Sequence, residues 1–127
     1  LLLYRAVYNL VENAIKYNHS GGKVTVKISQ TKALSAAHSK PTDYALVEVT
    51  DTGIGISPEF QEKIFDPFFR VDKSRSRAMG GAGLGLALVN EIARQHGGQV
   101  KVLESSEKGS TIALIIPNTD SMMSELN

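Results

Sequence analysis

Asn9-Leu-Val-Glu-Asn-Ala-Ile-Lys-Tyr17 reads as a helix with two asparagines set four residues apart inside it. Asparagine is a poor interior residue for a helix, because its amide competes with the backbone for hydrogen bonds. Around it, Leu3, Val7, Leu10, Val11 and Ala14 recur at helical spacing and gather on one face, so Leu3 to Tyr17 is predicted to be an amphipathic helix on a core. At about 100° per residue, Asn9, Asn13 and Lys16 fall within about 60° of one another on a different face, with Tyr17 a little further round. Two carboxamide oxygens and an ammonium on one ridge suit a magnesium ion and the phosphates it accompanies, since magnesium takes hard oxygen ligands and shares them with phosphate and water. A solvated helix face would account for the lysine but not for the pair of asparagines.

Working outward, Asn18-His-Ser-Gly-Gly22 stops this helix with glycines suited to a C-terminal cap. Lys23 to Ser29 alternates, with Val24, Val26 and Ile28 apolar, and predicts a half-buried strand. Thr31 to Asp43 is polar, contains Pro41, and reads as a long hairpin loop. Ala45 to Thr50 alternates again and runs into Asp51-Thr-Gly-Ile-Gly55. Ser57-Pro58-Glu59 predicts a helix start, with Ser57 as N-cap and Pro58 at the first position, continuing to about Phe65. Residues 66–83 are loop-like, with Arg70, Lys73, Arg75 and Arg77 followed by glycines at 80, 81 and 83. Leu84 to His96 is a second amphipathic helix closed by Gly97-Gly98, with His96 in a capping position. Strands are predicted near Gln99–Glu104 and Ser110–Ile116, and residues 118–127 as a disordered polar tail. This order predicts one α/β domain over residues 1–117: a two-layer α/β sandwich, its mixed, mostly antiparallel sheet packed on about three helices.

Composition narrows the function. The 127 residues suffice for one domain with one core. The net charge of +1 gives no bulk electrostatic reason to expect a nucleic acid or an anionic membrane as partner. There are no cysteines, which excludes disulfides, a thiol nucleophile and a cysteine zinc site. No apolar run approaches the roughly 20 residues of a membrane span, and no signal peptide is visible. The chain opens on Leu1-Leu2-Leu3, already in helical pattern, and is expected to be a piece of a longer protein.

Two further constellations carry chemistry. Asp51 at a strand end can accept a hydrogen bond from an exocyclic amine such as that of adenine, and Gly53 and Gly55 let the backbone turn closely around a flat ring; an Asp-x-Gly turn is also a common structural device. Gly80-Gly-Ala-Gly83-Leu-Gly85-Leu86 leads into a helix, where exposed N–H groups and the helix dipole attract an anion. The dinucleotide fingerprint needs G-x-G-x-x-G after a strand, and the P-loop needs Gly-Lys-Ser/Thr; neither is present. Leu84, Leu86 and Leu88 among the glycines argue against a flexible linker.

Together and in this order, these motifs resemble the catalytic and ATP-binding domain of bacterial sensor histidine kinases, part of a wider group that includes gyrase and the Hsp90 chaperones. Asn9 to Tyr17 resembles the N box, Asp51 to Gly55 the first glycine box, and Ile64-Phe-Asp-Pro-Phe-Phe-Arg70-Val-Asp72 the F box. Gly81-Ala-Gly83-Leu-Gly85-Leu86 resembles the second glycine box, and Gly109-Ser110-Thr111 the late glycine motif. The resemblance implies a Bergerat-type fold that takes Mg-ATP. Asn13 and Asn9 would hold magnesium, Lys16 would contact phosphate, and Tyr17 would line the nucleotide. Asp51 would bind the adenine amine, with Gly53, Gly55 and Ile56 around it and Thr111 near the adenine end. Gly81, Gly83 and Gly85, with the amides of Leu84 and Leu86, would embrace the phosphates, and Arg70 would reach the γ-phosphate from a mobile lid. The implied reaction is transfer of the γ-phosphate to a histidine on a separate dimerisation domain. A response regulator would act downstream, and the location would be the cytoplasmic part of a membrane-anchored receptor.

Asn9 separates the subclasses. In the ATPase branches this position resembles a glutamate that activates water, and a neutral amide cannot take a proton from water. A neutral histidine acceptor already carries a nucleophilic ring nitrogen. Glu12 points about 100° away from Asn13 and is expected to be solvated. The rival readings are an ATPase of the same fold and a nucleotide-binding regulatory module without transfer. Three departures stand out: Ala82 where the family commonly has Thr or Ser, no strand before the first helix, which would leave a sheet edge open, and no phospho-acceptor among His19, His38 and His96.

Overall fold

A computed structural model of the chain describes residues 2–33, 42–67 and 85–117. The opening helix, α1, spans Leu2–Lys16 and buries Leu3, Ala6, Leu10 and Ala14 at the predicted spacing. Two long strands follow, β1 (Val24–Ala33) and β2 (Thr42–Asp51). After two single 3-10 turns, Pro58–Phe60 and Lys63–Phe65, comes helix α2 (Gly85–Gln95). The described chain ends with the hairpin of β3 (Gln99–Ser106) and β4 (Gly109–Pro117).

The strands form one sheet in the order β1-β2-β4-β3. Every described pairing is antiparallel, so this part of the sheet is purely antiparallel rather than mixed. Helix α1 packs on β1 and β2, α2 packs on β3 and β4, and the two helices touch each other. The core between the layers joins Leu10 and Ala14 of α1, Val89 and Ile92 of α2, and Val49, Ile112 and Leu114 of the central strands. Burying each large aliphatic side chain contributes about 1.5–3 kcal/mol, and these residues carry most of the fold's stability.

Several boundaries differ from the sequence expectation. Strand β1 runs on past Ser29 to Ala33, paired residue for residue with β2, with Lys32 lying 3.9 Å from Asp43 across the ladder. That extension is polar and solvated, so it leaves no apolar alternation to read. Val26 and Ile28, expected to face the core, are 42% and 71% exposed. They sit opposite Val49 and Val47 on the helix-side face, but β1 is an edge strand and the helix layer does not reach over them. The helix expected from Ser57 is instead two turns closed by short-range bonds, Phe60 N–H to Ser57 O (2.9 Å) and Asp66 N–H to Lys63 O (2.9 Å). Ser57 makes no side-chain cap there.

The close of α2 matches expectation. Gly97 takes φ 73°, its N–H bonds Arg94 O (3.0 Å), and Gly98 N–H bonds Ala93 O (2.8 Å), the paired bonds of a Schellman cap. His96 adds Nδ1 to Ile92 O at 2.8 Å, a capping contact at the helix end.

Candidate functional site

Asn9, Asn13 and Lys16 share one ridge of α1, all half-buried. Among the described residues neither asparagine side chain makes a hydrogen bond, so both carboxamide oxygens stand ready for a ligand. Lys16 is engaged: its Nζ lies 3.2 Å from Glu12 Oε1. The i, i+4 spacing brings Glu12 to Lys16 although its Cα direction diverges from Asn13, so Glu12 is not merely solvated. Asn9 faces the start of α2 across an open depression that Phe65, Gly85 and Leu88 also line. The first amides of α2 have no partners within the helix, which gives that end of the depression anion-binding character.

The C-terminal end of α1 is tied to the loop that follows β2. Ile54 N–H bonds Tyr17 O at 3.3 Å. Asn18 acts as a clamp: its Oδ1 accepts from the Thr52 hydroxyl (3.1 Å) and from His19 N–H (2.9 Å), and its Nδ2 donates to Lys23 O (2.9 Å). Thr52 Oγ1 in turn accepts from Lys23 N–H at 2.8 Å. These bonds fix the loop against the end of α1 at Tyr17 and Asn18, about 12 Å along the helix axis from Asn9.

Asp51 ends β2 half-buried. Its Oδ1 accepts from Gly53 N–H (2.9 Å) and Ser110 N–H (3.3 Å). No described residue donates to Oδ2. The carboxylate is thus oriented by one oxygen and offers the other as an acceptor. At Gly55, with φ 78°, a side chain would run into the Ser106 carbonyl, so the loop lies directly on the β3–β4 turn.

Thr111 does not join Asp51. Facing pairs across β2 and β4 are Asp51 with Ser110 and Thr50 with Thr111, and strand alternation puts the two pairs on opposite faces. Thr111 bonds the Thr50 hydroxyl at 2.9 Å on the face away from the helices, while Ser110 stands beside the carboxylate. Ile56 and Leu86 direct their side chains at the core, so what they can offer a ligand is backbone. Gly85 is the first residue of α2. Arg70, Gly81, Ala82, Gly83 and Leu84 lie outside the described residues, as does His38.

Sequence reasoning gave no role of their own to Asn18, Ser105 and Ser110. Asn18 was legible only as part of a helix stop. Ser105 carried no signal, because a register shift in β3 turns it inward.

No cluster of His, Asp and Glu able to hold a metal exists among the described residues. A metal bound here would rely on amide oxygens, its ligand's phosphates and water, which fits magnesium better than a metal needing a full protein cage. The family described as Histidine kinase-, DNA gyrase B-, and HSP90-like ATPase matches residues 1–120. The chain belongs to this family.

Within it, the chain is similar to sensor histidine kinases. The sensor-like histidine kinase SenX3 of Mycolicibacterium smegmatis is 43% identical over 116 residues, 91% of this chain and 28% of that protein. Sensor histidine kinase WalK of Bacillus subtilis is 39% identical over 109 residues, 86% of this chain and 16% of that one. Among solved structures, the mycobacterial sensor histidine kinase MprB matches with a TM-score of 0.69 at 32% identity, covering 91% of this chain and 70% of MprB. Full-length ShkA in complex with AMPPNP matches with a TM-score of 0.70 at 28% identity, covering 91% of this chain and 21% of ShkA. This histidine-kinase ATP-binding domain spans about a quarter of the length of the first of these relatives. Its α/β sandwich is the one these kinases share. No helix among the described residues is long and apolar enough to cross a membrane.

Proposed function

We propose that this domain binds Mg-ATP and donates its γ-phosphate to a histidine carried by a separate dimerisation domain of the same kinase, from which a response regulator is phosphorylated. Asp51 Oδ2 accepts the adenine amine, and Asn9 and Asn13 supply amide oxygens to a magnesium ion that neutralises phosphate charge. Lys16 exchanges Glu12 for a phosphate oxygen, and the first amides of α2, with Gly83 and Leu84 ahead of them, cradle the phosphate chain. Arg70 approaches the γ-phosphate from the segment before α2. In the transfer, a lone pair of the acceptor imidazole forms the new N–P bond, the bond from phosphorus to the β,γ-bridging oxygen breaks, ADP leaves, and the imidazole proton passes to solvent. Phosphoryl transfer asks the protein mainly for positioning and charge stabilisation, which these groups supply. The domain is the cytoplasmic catalytic part of a receptor.

The observation that carries this reading is the α1 ridge: two unengaged carboxamides and a lysine on one helix face, Asn9 among them lining the depression at the start of α2, with no carboxylate at position 9 to activate water. Calorimetric titration with a non-hydrolysable ATP analogue tests it. Binding that requires magnesium and is lost in Asn13→Ala is expected. Equal affinity with and without magnesium would remove the role given to the asparagines.

A further inference from the structure

Strand β3 carries a bulge. Val100 and Val102 face Leu114 and Ile112 on the core side, so the next inward residue in a regular ladder would be Glu104 opposite Ser110. The register shifts between Val102 and Glu104 instead, leaving Glu104 opposite Thr111 and Ser105 opposite Ser110. One extra residue therefore turns Glu104 out to solvent and aims Ser105 inward. This is why Ser105 was invisible in the alternation of the sequence.

Inward-facing Ser105 does two things. Its Oγ accepts the Ile56 N–H at 2.6 Å, and it pairs with the Ser110 hydroxyl at 2.8 Å. The Ser110 N–H in turn holds Asp51 Oδ1. The loop from Asp51 to Ile56 is thus clipped at both ends by one facing serine pair: Ser110 at its start, Ser105 at its finish. Ile56 is fixed from the other side as well, since its carbonyl accepts from Gln61 Nε2 at 3.1 Å and its side chain packs on the core. Without the Ser105 hydroxyl, Ile56 N–H loses its partner and Ser110 loses its neighbour, and the finish of the loop keeps only the Gln61 contact, the packing of Ile56 and the Ile54 bond to Tyr17.

We infer that Ser105 is a positioning residue for recognition of the nucleotide base: the bulge in β3 brings its hydroxyl to the Asp51–Ile56 loop, and this contact sets the domain's affinity for adenine. The inference rests on the proposed adenine contact of Asp51. Ser105 touches no ligand itself and acts on the base end only. The phosphate end, built from the α1 ridge and α2, is independent of it.

The test compares wild type, Ser105→Ala and Ser105→Thr, the last keeping a hydroxyl that suits a strand. Amide hydrogen exchange without nucleotide reads the anchor; calorimetry with AMPPNP and magnesium, and with inorganic tripolyphosphate and magnesium, reads the two ends of the site. In Ser105→Ala, exchange at Ile56 is expected to rise about tenfold or more and AMPPNP affinity to fall about tenfold, the scale of one lost partner for a buried donor. Tripolyphosphate affinity should stay at the wild-type value, and Ser105→Thr should restore both exchange and AMPPNP binding. Unchanged exchange at Ile56 overturns the anchor. A looser loop with unchanged AMPPNP affinity, or an equal loss for tripolyphosphate, overturns the link to the base. A wild-type domain that binds no AMPPNP sinks the functional reading and the affinity claim together, while the exchange result still decides the anchor separately.

Discussion

In the proposed function, recognition of the base turns on Asp51. Its geometry separates two duties: Oδ1 is spent on Gly53 and Ser110, and Oδ2 has no partner among the described residues. Asp51→Asn keeps the shape but replaces a charged acceptor. Loss of a hydrogen bond to a charged group, about 1.5–3 kcal/mol, corresponds to roughly 10- to 150-fold weaker AMPPNP binding by calorimetry. Glu12 acts in the opposite sense. It holds Lys16 in an ion pair whose side chains are 42% and 32% exposed, so Glu12→Gln should release the ammonium at a gain of only about 0.3–0.5 kcal/mol. An AMPPNP affinity about twofold tighter is expected, and weaker binding would mean that Glu12 positions Lys16 rather than competing for it. At this scale the sequence was half legible. The asparagine ridge stood out because it breaks a local rule of helix composition, whereas Asp51, in a common Asp-x-Gly turn, stood out only with the other motifs beside it. That Ser110 rather than Thr111 shares the face of Asp51 was not legible, since which of two adjacent strand residues faces inward depends on a register that only the pairing with β2 fixes.

The core face of α1 and the cap of α2 show how parts of the fold bear the site without belonging to it. Leu10 is 1% exposed on the face of α1 opposed to the sheet, and Leu10→Ala should cost about 2–5 kcal/mol in denaturant unfolding. Gly97 and Gly55 both adopt positive φ, yet their substitutions should differ. A Cβ at Gly97 meets nothing closer than Pro117 Cγ at 3.9 Å, so Gly97→Ala costs only the left-handed backbone, about 1–2 kcal/mol, with nucleotide affinity unchanged. At Gly55 the added methyl collides with the Ser106 carbonyl, so Gly55→Ala should lose affinity as well as stability. Comparing unfolding midpoints with calorimetric affinities for the pair separates support from site. The helices were readable because apolar periodicity and terminal glycines agree. Strand ends in β1 and β2 were not, because paired polar residues exposed on both faces look like a loop. Nor did the proline at position 58 distinguish a helix from two tight turns.

Taken as a whole, the described residues form a purely antiparallel sheet with helices on one face, and the proposed nucleotide site lies along the rim of that layer. Its architecture followed from the order of periodic segments alone, and the family match over residues 1–120 agrees with it. What composition could not supply was the bulge in β3, which exchanges the inward and outward residues of one strand and so connects the hairpin to the loop of Asp51. Under the proposed function this domain spends ATP on a histidine acceptor rather than on water, since the neutral amide of Asn9 cannot take a proton from water. The most direct measurement mixes the domain, magnesium and ATP labelled at the γ-phosphate with the histidine-bearing dimerisation domain of its own parent protein. Label on the acceptor histidine, abolished by Asn13→Ala and accompanied by little phosphate release from the domain alone, is the expected result. Steady phosphate release without any acceptor, and no label on the histidine when it is present, would contradict it.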